Sequence, residues 1–243
     1  MLKRVVLGMF LMGAVSTSAV AHEIREPMAK FKSVMQELDL SFSQKMDIRS
    51  IVKSTRGDMK VYREDMQTLR DTIEQLVKSD NYSEEAVLAE IVAQEAVMKT
   101  IASQRFSTKS QVLAVLTDEQ AEQFRTLMAQ QLQVDPDKVA QRKQKLYEKL
   151  ELDATEDADI IAALDAVMAS KKAMREVRKS FAQTQVDVTD QAQWDANFAA
   201  HFDDIADSMV ATASSHRELW LMLDDEQREV MEKIAKKRRN KRG

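Results

Sequence analysis

Hydrophobic positions along this chain recur at helical spacing. The longest run alternates steps of three and four residues, the seam along which two helices pack nearly parallel. Its members are Val52, Thr55, Met59, Tyr62, Met66, Leu69, Ile73 and Leu76. The pattern predicts a helix from about Ser41 to Val77, roughly 54 Å long at 1.5 Å per residue. An extended helical hairpin accommodates such a helix better than a compact globule does.

Shorter periodic runs surround this helix. A short helix is predicted from about Pro27 to Leu38, because proline is tolerated in a first turn. A third helix is predicted from Glu84 to about Val115, and a fourth helix, capped by Thr117, to about Leu132.

Four of the predicted helices follow the same local pattern: Leu, then Ser, Thr or Asp, two free positions, and Gln or Glu. The cap oxygen accepts the amide three residues on, and the Gln or Glu side chain reaches back to the cap amide. The Leu fixes the incoming chain. The four copies are Leu40, Ser41 and Gln44; Leu116, Thr117 and Gln120; Leu152, Asp153 and Glu156; Leu223, Asp224 and Gln227.

The copies occur in repeat order. The first and third lie 112 residues apart and the second and fourth 107 apart, so a loss of five residues is expected around 183–189. Asp135 and Pro136 suit the start of a second unit. We therefore predict a leader at 1–21 and two tandem units, 22–133 and 134–243. The copies have diverged, since Lys171 and Arg178 stand at the seam positions of Met59 and Met66.

Composition agrees with a helical chain. Four Gly and two Pro in 243 residues leave little turn chemistry for a β-protein. Good helix formers dominate instead. The predicted fold class is all-α.

Residues 1–21 have the layout of a secretory signal: Lys3 and Arg4, an apolar stretch, then Ala19, Val20 and Ala21. We expect cleavage after Ala21 and export of the remainder. The chain has no Cys, which excludes a lipoprotein anchor and disulfides. No later window approaches the roughly 20 apolar residues of a membrane helix, so stable membrane insertion is not expected.

Charge argues against nucleic acid as a partner. Without the leader, 34 Lys and Arg face 40 Asp and Glu, a net charge of −6. Six of the cations fall in the last eight residues, so the preceding body carries about −12. We interpret the basic end as a solvated helix C-terminus and assign it no function.

Candidate catalytic and metal-binding groups are sparse. No Ser has an evident base beside it, and no Gly loop could hold phosphate. His201 and Asp204 lie one turn apart, but His216 lies about four turns from His201 on the same helix. We predict no enzyme activity, no cofactor and no metal site.

The repeated pattern resembles the Leu-Thr-x-x-Gln motif of the Spy/CpxP family of periplasmic stress proteins. Residues 116–120 match that motif in full, and the other three copies depart from it at the cap or at the Gln. The resemblance implies cradle-shaped dimers of four-helix subunits, each a hairpin of long antiparallel helices. With two units in one chain, we expect a pseudo-dimeric monomer.

The resemblance also implies function. The first expectation is an ATP-independent periplasmic chaperone that binds unfolded or misfolded envelope proteins during envelope stress. The alternatives are a CpxP-like regulator of a sensor kinase's periplasmic domain and a periplasmic protein responsive to zinc or copper. The sequence does not separate them.

Methionine suggests where clients bind. Its flexible side chain suits surfaces that accept many shapes, although methionine at helical spacing also fills cores. The candidates for client contact are Met59, Tyr62, Met66, Met174 and Phe181. Family cradles bind through a basic face, whereas this body is acidic. The nearest basic stripe here is Lys171, Arg175, Arg178 and Lys179.

Overall fold

The computed structural model describes residues 34–130, 136–185, 188 and 190–240. The predicted leader and the start of the first helix lie outside these residues. Within the described ranges the chain is helical and has no strand, which confirms the all-α prediction.

The first half of the chain contains four helices after a helical turn at 34–37. They are α1 (Phe42–Lys78), α2 (Glu84–Ala93), α3 (Glu95–Val115) and α4 (Asp118–Gln130). The predicted third helix is therefore two helices, interrupted at Gln94. The Gln94 N–H is shared between the carbonyls of Ile91 and Val92, so the backbone tightens for one residue before helical bonding resumes.

The second half repeats this order with different lengths. Its helices are α5 (Pro136–Lys149), α6 (Ala158–Thr184), α7 (Gln191–Met222) and α8 (Asp225–Asn240). The span from Glu84 to Val115 and the span from Gln191 to Met222 begin and end 107 residues apart. The expected loss in the loop at 183–189 is wrong in detail. The loops before these spans are similar in length, whereas α6 has 27 residues and α1 has 37.

Two small apolar clusters lie in separate halves. The first end cluster comprises Val34, Leu38, Leu40, Ile48, Val112, Leu116, Ala121 and Phe124. The second end cluster comprises Leu146, Leu150, Ala163, Leu164, Val167, Leu219, Leu223 and Met231. Val34, Leu38, Val112, Leu116 and Phe124 have counterparts in the second cluster 112 or 107 residues later. Corresponding sequence positions therefore occupy corresponding places in the two clusters.

A larger central core draws on both halves. It contains residues of α1, α2 and α3 together with residues of α6 and α7. The Trp194 ring centroid lies 6.0 Å from that of Phe106, 6.5 Å from that of Phe181 and 5.5 Å from that of Phe198. Phe106 belongs to the first half and the other three to the second, so both predicted units contribute to one core.

None of the described helices combines the length and apolar character needed to cross a membrane.

The central core predicts the cost of truncating Phe181. Its side chain is 2 % exposed and packs edge-on against Trp194 and Phe198. We expect Phe181→Ala to lower the free energy of unfolding by about 3–5 kcal/mol. Urea unfolding followed by circular dichroism measures this, with Val61→Ala, at a side chain 64 % exposed, as the control. A loss below about 1 kcal/mol would contradict the assigned packing.

Candidate functional site

The first motif copy forms a complete capping box. The Ser41 hydroxyl accepts the Gln44 backbone N–H at 3.2 Å, and Gln44 Oε1 accepts the Ser41 backbone N–H at 2.9 Å. The preceding Leu40 is buried in the first end cluster. This copy therefore starts α1 and anchors its first turn to apolar neighbours.

The second copy has the same geometry. Thr117 Oγ1 accepts the Gln120 backbone N–H at 3.2 Å, and Gln120 Oε1 accepts the Thr117 backbone N–H at 3.1 Å. Leu116 lies in the same end cluster as Leu40.

The two copies meet through their glutamines. Gln44 Nε2 donates to Gln120 Oε1 at 2.8 Å and to the Val115 carbonyl at 2.9 Å. In return, Gln120 Nε2 donates to the Asp39 carbonyl at 2.8 Å. We call Gln44, Gln120 and these two carbonyls the glutamine clamp. Each amide caps its own helix with oxygen and holds the facing loop with nitrogen.

The chemistry of the clamp explains why the motif ends in Gln. An amide offers an acceptor and a donor at once, whereas an ionised carboxylate only accepts. Glu at either position could still cap its own helix. It could not donate across to the other motif.

The second half has lost this arrangement. Asp224 and Gln227 form a complete capping box, with bonds of 3.2 and 2.7 Å. Gln227 Nε2 reaches the Leu150 carbonyl only at 3.5 Å. The reciprocal donor is missing because Glu156 stands where the first half has Gln44.

The prediction that Glu156 closes its own capping box is wrong. Asp153 Oδ1 accepts the backbone N–H groups of Thr155 and Glu156 at 2.7 and 3.1 Å, as a cap should. The Asp153 N–H donates instead to Asp157 Oδ2 at 2.8 Å. The Thr155 and Glu156 amides hold the pKa of the Asp153 carboxyl below its ordinary value.

The candidate client-contact residues lie in the central core. Met59, Met66, Met174 and Phe181 are 2–7 % exposed, and Tyr62 packs partly buried against the same core. The folded protein does not present them as a surface. Their seam positions mark the inner faces of the helices, so the core interpretation of this pattern is the correct one.

The proposed basic stripe is also divided by burial. Arg178 is buried and donates through Nη2 to Met174 Sδ at 2.7 Å, whereas Lys179 is exposed. These cations therefore do not share one solvent-facing surface.

Sequence reasoning missed two bonds that cross between the halves. Lys109 Nζ, on α3, donates to the Gln185 carbonyl at the C-terminus of α6 at 3.0 Å. Arg217 Nη1, on α7, donates to the Val77 carbonyl in the last turn of α1 at 3.0 Å. Cations suit helix C-termini, where carbonyls lack intrahelical partners. Each half thus completes a long helix of the other.

Among the described residues, no group of three or more His, Asp or Glu side chains has the geometry to hold a metal ion. His201 Nδ1 lies 2.9 Å from the Asn197 carbonyl within its own helix.

Large exposed apolar side chains are the other feature that the sequence did not reveal. They are Phe42, Met46, Val61, Leu88, Val92, Leu221 and Met222. Most lie off the inner seam, and only the packed structure shows that nothing covers them.

An all-helical architecture closed by paired Leu-Ser/Thr-x-x-Gln starts defines the class of this protein. Residues 28–128 match the family model described as LTXXQ motif family protein. The chain belongs to this family, the Spy/CpxP-type periplasmic family, which is chaperone-like rather than enzymatic. The match covers the two motif copies of the clamp and ends before the copies at Leu152 and Leu223. No curated protein and no solved structure gave a match.

The glutamine clamp predicts a strong effect of Gln44→Glu. The change removes the donor to Gln120 and Val115 and places a carboxylate against two acceptors. We expect unfolding to become easier by about 1–3 kcal/mol, measured by urea denaturation. Gln111→Glu is the matched control, because the exposed Gln111 bonds only within its own helix, to Ser107. Equal stability of the two variants would show that the clamp does not stabilise the fold.

Proposed function

We propose that this protein is an ATP-independent periplasmic chaperone that binds unfolded or misfolded envelope proteins by reversible burial of their apolar segments, without catalysis. The family match over residues 28–128 carries the proposal. The exposed apolar side chains support it, because an apolar surface that the fold leaves uncovered can bind similar surfaces of unfolded chains.

We further propose that units 22–133 and 134–243 arose by duplication and act as a dimer fused into one chain. The matching bounds of the spans 84–115 and 191–222 support this. So do the corresponding members of the two end clusters. In this arrangement the central core takes the place of an intersubunit interface.

Regulation of a sensor kinase is the second candidate function. It is favoured by the asymmetry between the halves, since the glutamine clamp is formed by Gln44 and Gln120 and not by Glu156 and Gln227. A regulator needs one specific docking surface, which a symmetric protein would present twice. An envelope-stress reporter that is unchanged after gene deletion would exclude this role.

The chaperone proposal predicts suppression of aggregation. A chemically unfolded client diluted into buffer with the mature protein at stoichiometric ratio should scatter less light than the client alone. Bovine serum albumin at the same concentration controls for crowding. Unchanged scattering with several clients of different charge would reject the proposal.

The fused-dimer proposal predicts the mass of the particle. Light scattering of the mature protein should give one chain per particle over a wide concentration range, because the central core already joins both halves. An obligate dimer at all concentrations would contradict the proposal.

A further inference from the structure

The outer side of α2 carries an apolar stripe that faces solvent. Its members are Leu88, Ala89, Val92, Ala93 and Ala96, the last in the first turn of α3, and all five are exposed. They recur at helical spacing and therefore lie along one side of the helix. Val87 and Ile91, on the other side, are buried in the central core. We call the five exposed residues the α2 stripe.

Packing does not require this stripe to be apolar. The helix α7 has the same bounds at an offset of 107, and Asp195, Ala199 and Asp203 stand there at the positions of Leu88, Val92 and Ala96. A helix of this family architecture thus tolerates carboxylates at the same places. Leu88 is 37 % exposed and Val92 49 % exposed, so both leave much apolar surface in water.

Acidic side chains surround the α2 stripe. Residues 79–98 include Asp80 and four Glu, and contain no Lys or Arg. Glu84 and Glu85 are exposed, and Glu90 and Glu95 are partly exposed. The pKa of Glu85 is held below its ordinary value by its own backbone N–H and then by Ser83, which keeps this carboxylate ionised. The surroundings of the stripe are therefore negatively charged at neutral pH.

We propose that the α2 stripe is a client-docking surface, and that it selects apolar segments of unfolded proteins flanked by Lys or Arg. This inference rests on the proposed chaperone function and names its client class. Apolar side chains of the client cover Leu88 and Val92, while the flanking cations approach the glutamates. The alanines keep the stripe low, so a segment can bind in more than one conformation. The charge term raises the rate of encounter and weakens with salt, so release needs no ATP.

Labelled peptides test the client class. Two peptides share one apolar centre and carry either Lys or Glu at both flanks, and fluorescence anisotropy measures their binding to the full-length mature protein. We expect the Lys-flanked peptide to bind at least tenfold more tightly at low ionic strength, with the preference shrinking in high salt. Equal affinities, or a preference for the Glu-flanked peptide, would overturn the proposal.

Two sets of variants test the location. Leu88→Ser with Val92→Ser should weaken binding of the Lys-flanked peptide at least tenfold without changing the melting temperature. Leu221→Ser, at an exposed position on α7, is the matched control and should bind like the unaltered protein. Glu90→Gln with Glu95→Gln should reduce only the preference for Lys. Equal weakening by the control, or no effect of the stripe variant, would place the site elsewhere.

The aggregation assay separates failure of this inference from failure of the proposed function. If the unaltered protein and the stripe variant suppress aggregation equally, the chaperone function stands and the α2 stripe is not its surface. If the unaltered protein suppresses nothing and binds neither peptide, the proposed function fails as well. A concentration-dependent dimer that the stripe variant abolishes would show that a second copy of the chain occupies the stripe, which also overturns the proposal.

Discussion

Packing of Trp194 against Phe106, Phe181 and Phe198 joins helices from the two halves of the chain. The remaining structure depends on this contact, because long helices without cysteine cannot be cross-linked by disulfides. Burial of a large apolar side chain contributes about 1.5–3 kcal/mol, and the central core is built from many such side chains in five helices. The end clusters can then be small, since each needs only to close its own end of the helices.

Closure of the first end depends on a second kind of bond. The glutamine clamp joins two loops through four polar groups, and every one of its amide atoms has a partner. The motif that identifies the family is therefore a structural device with two roles, helix capping and loop docking. The second half retains the caps but has lost the reciprocal docking at Glu156, and its end is held by the apolar side chains around Leu223.

Much of this architecture could be predicted from local sequence. Helix starts at Ser41, Thr117 and Asp224 follow from capping chemistry, which acts over four residues. The interruption at Gln94 and the contribution of Asp157 were not predicted, since several side chains could satisfy the same amide. Periodicity identified the face that carries Met59 and Met66 but not what covers it, because a buried seam and an exposed binding face have the same spacing.

The crossed bonds from Lys109 to the end of α6 and from Arg217 to the end of α1 also bear on how the chain folds. Val77 and Arg217 are separated by 140 residues, and Lys78 and its partner Glu232 by 154. Contacts of such long sequence separation form late, because the loop entropy must be overcome first. The half synthesised first contains α1 without the groups that complete its C-terminus. Its apolar seam therefore stays accessible until the second half emerges, so that the chain itself passes through the kind of exposed state that a chaperone would bind.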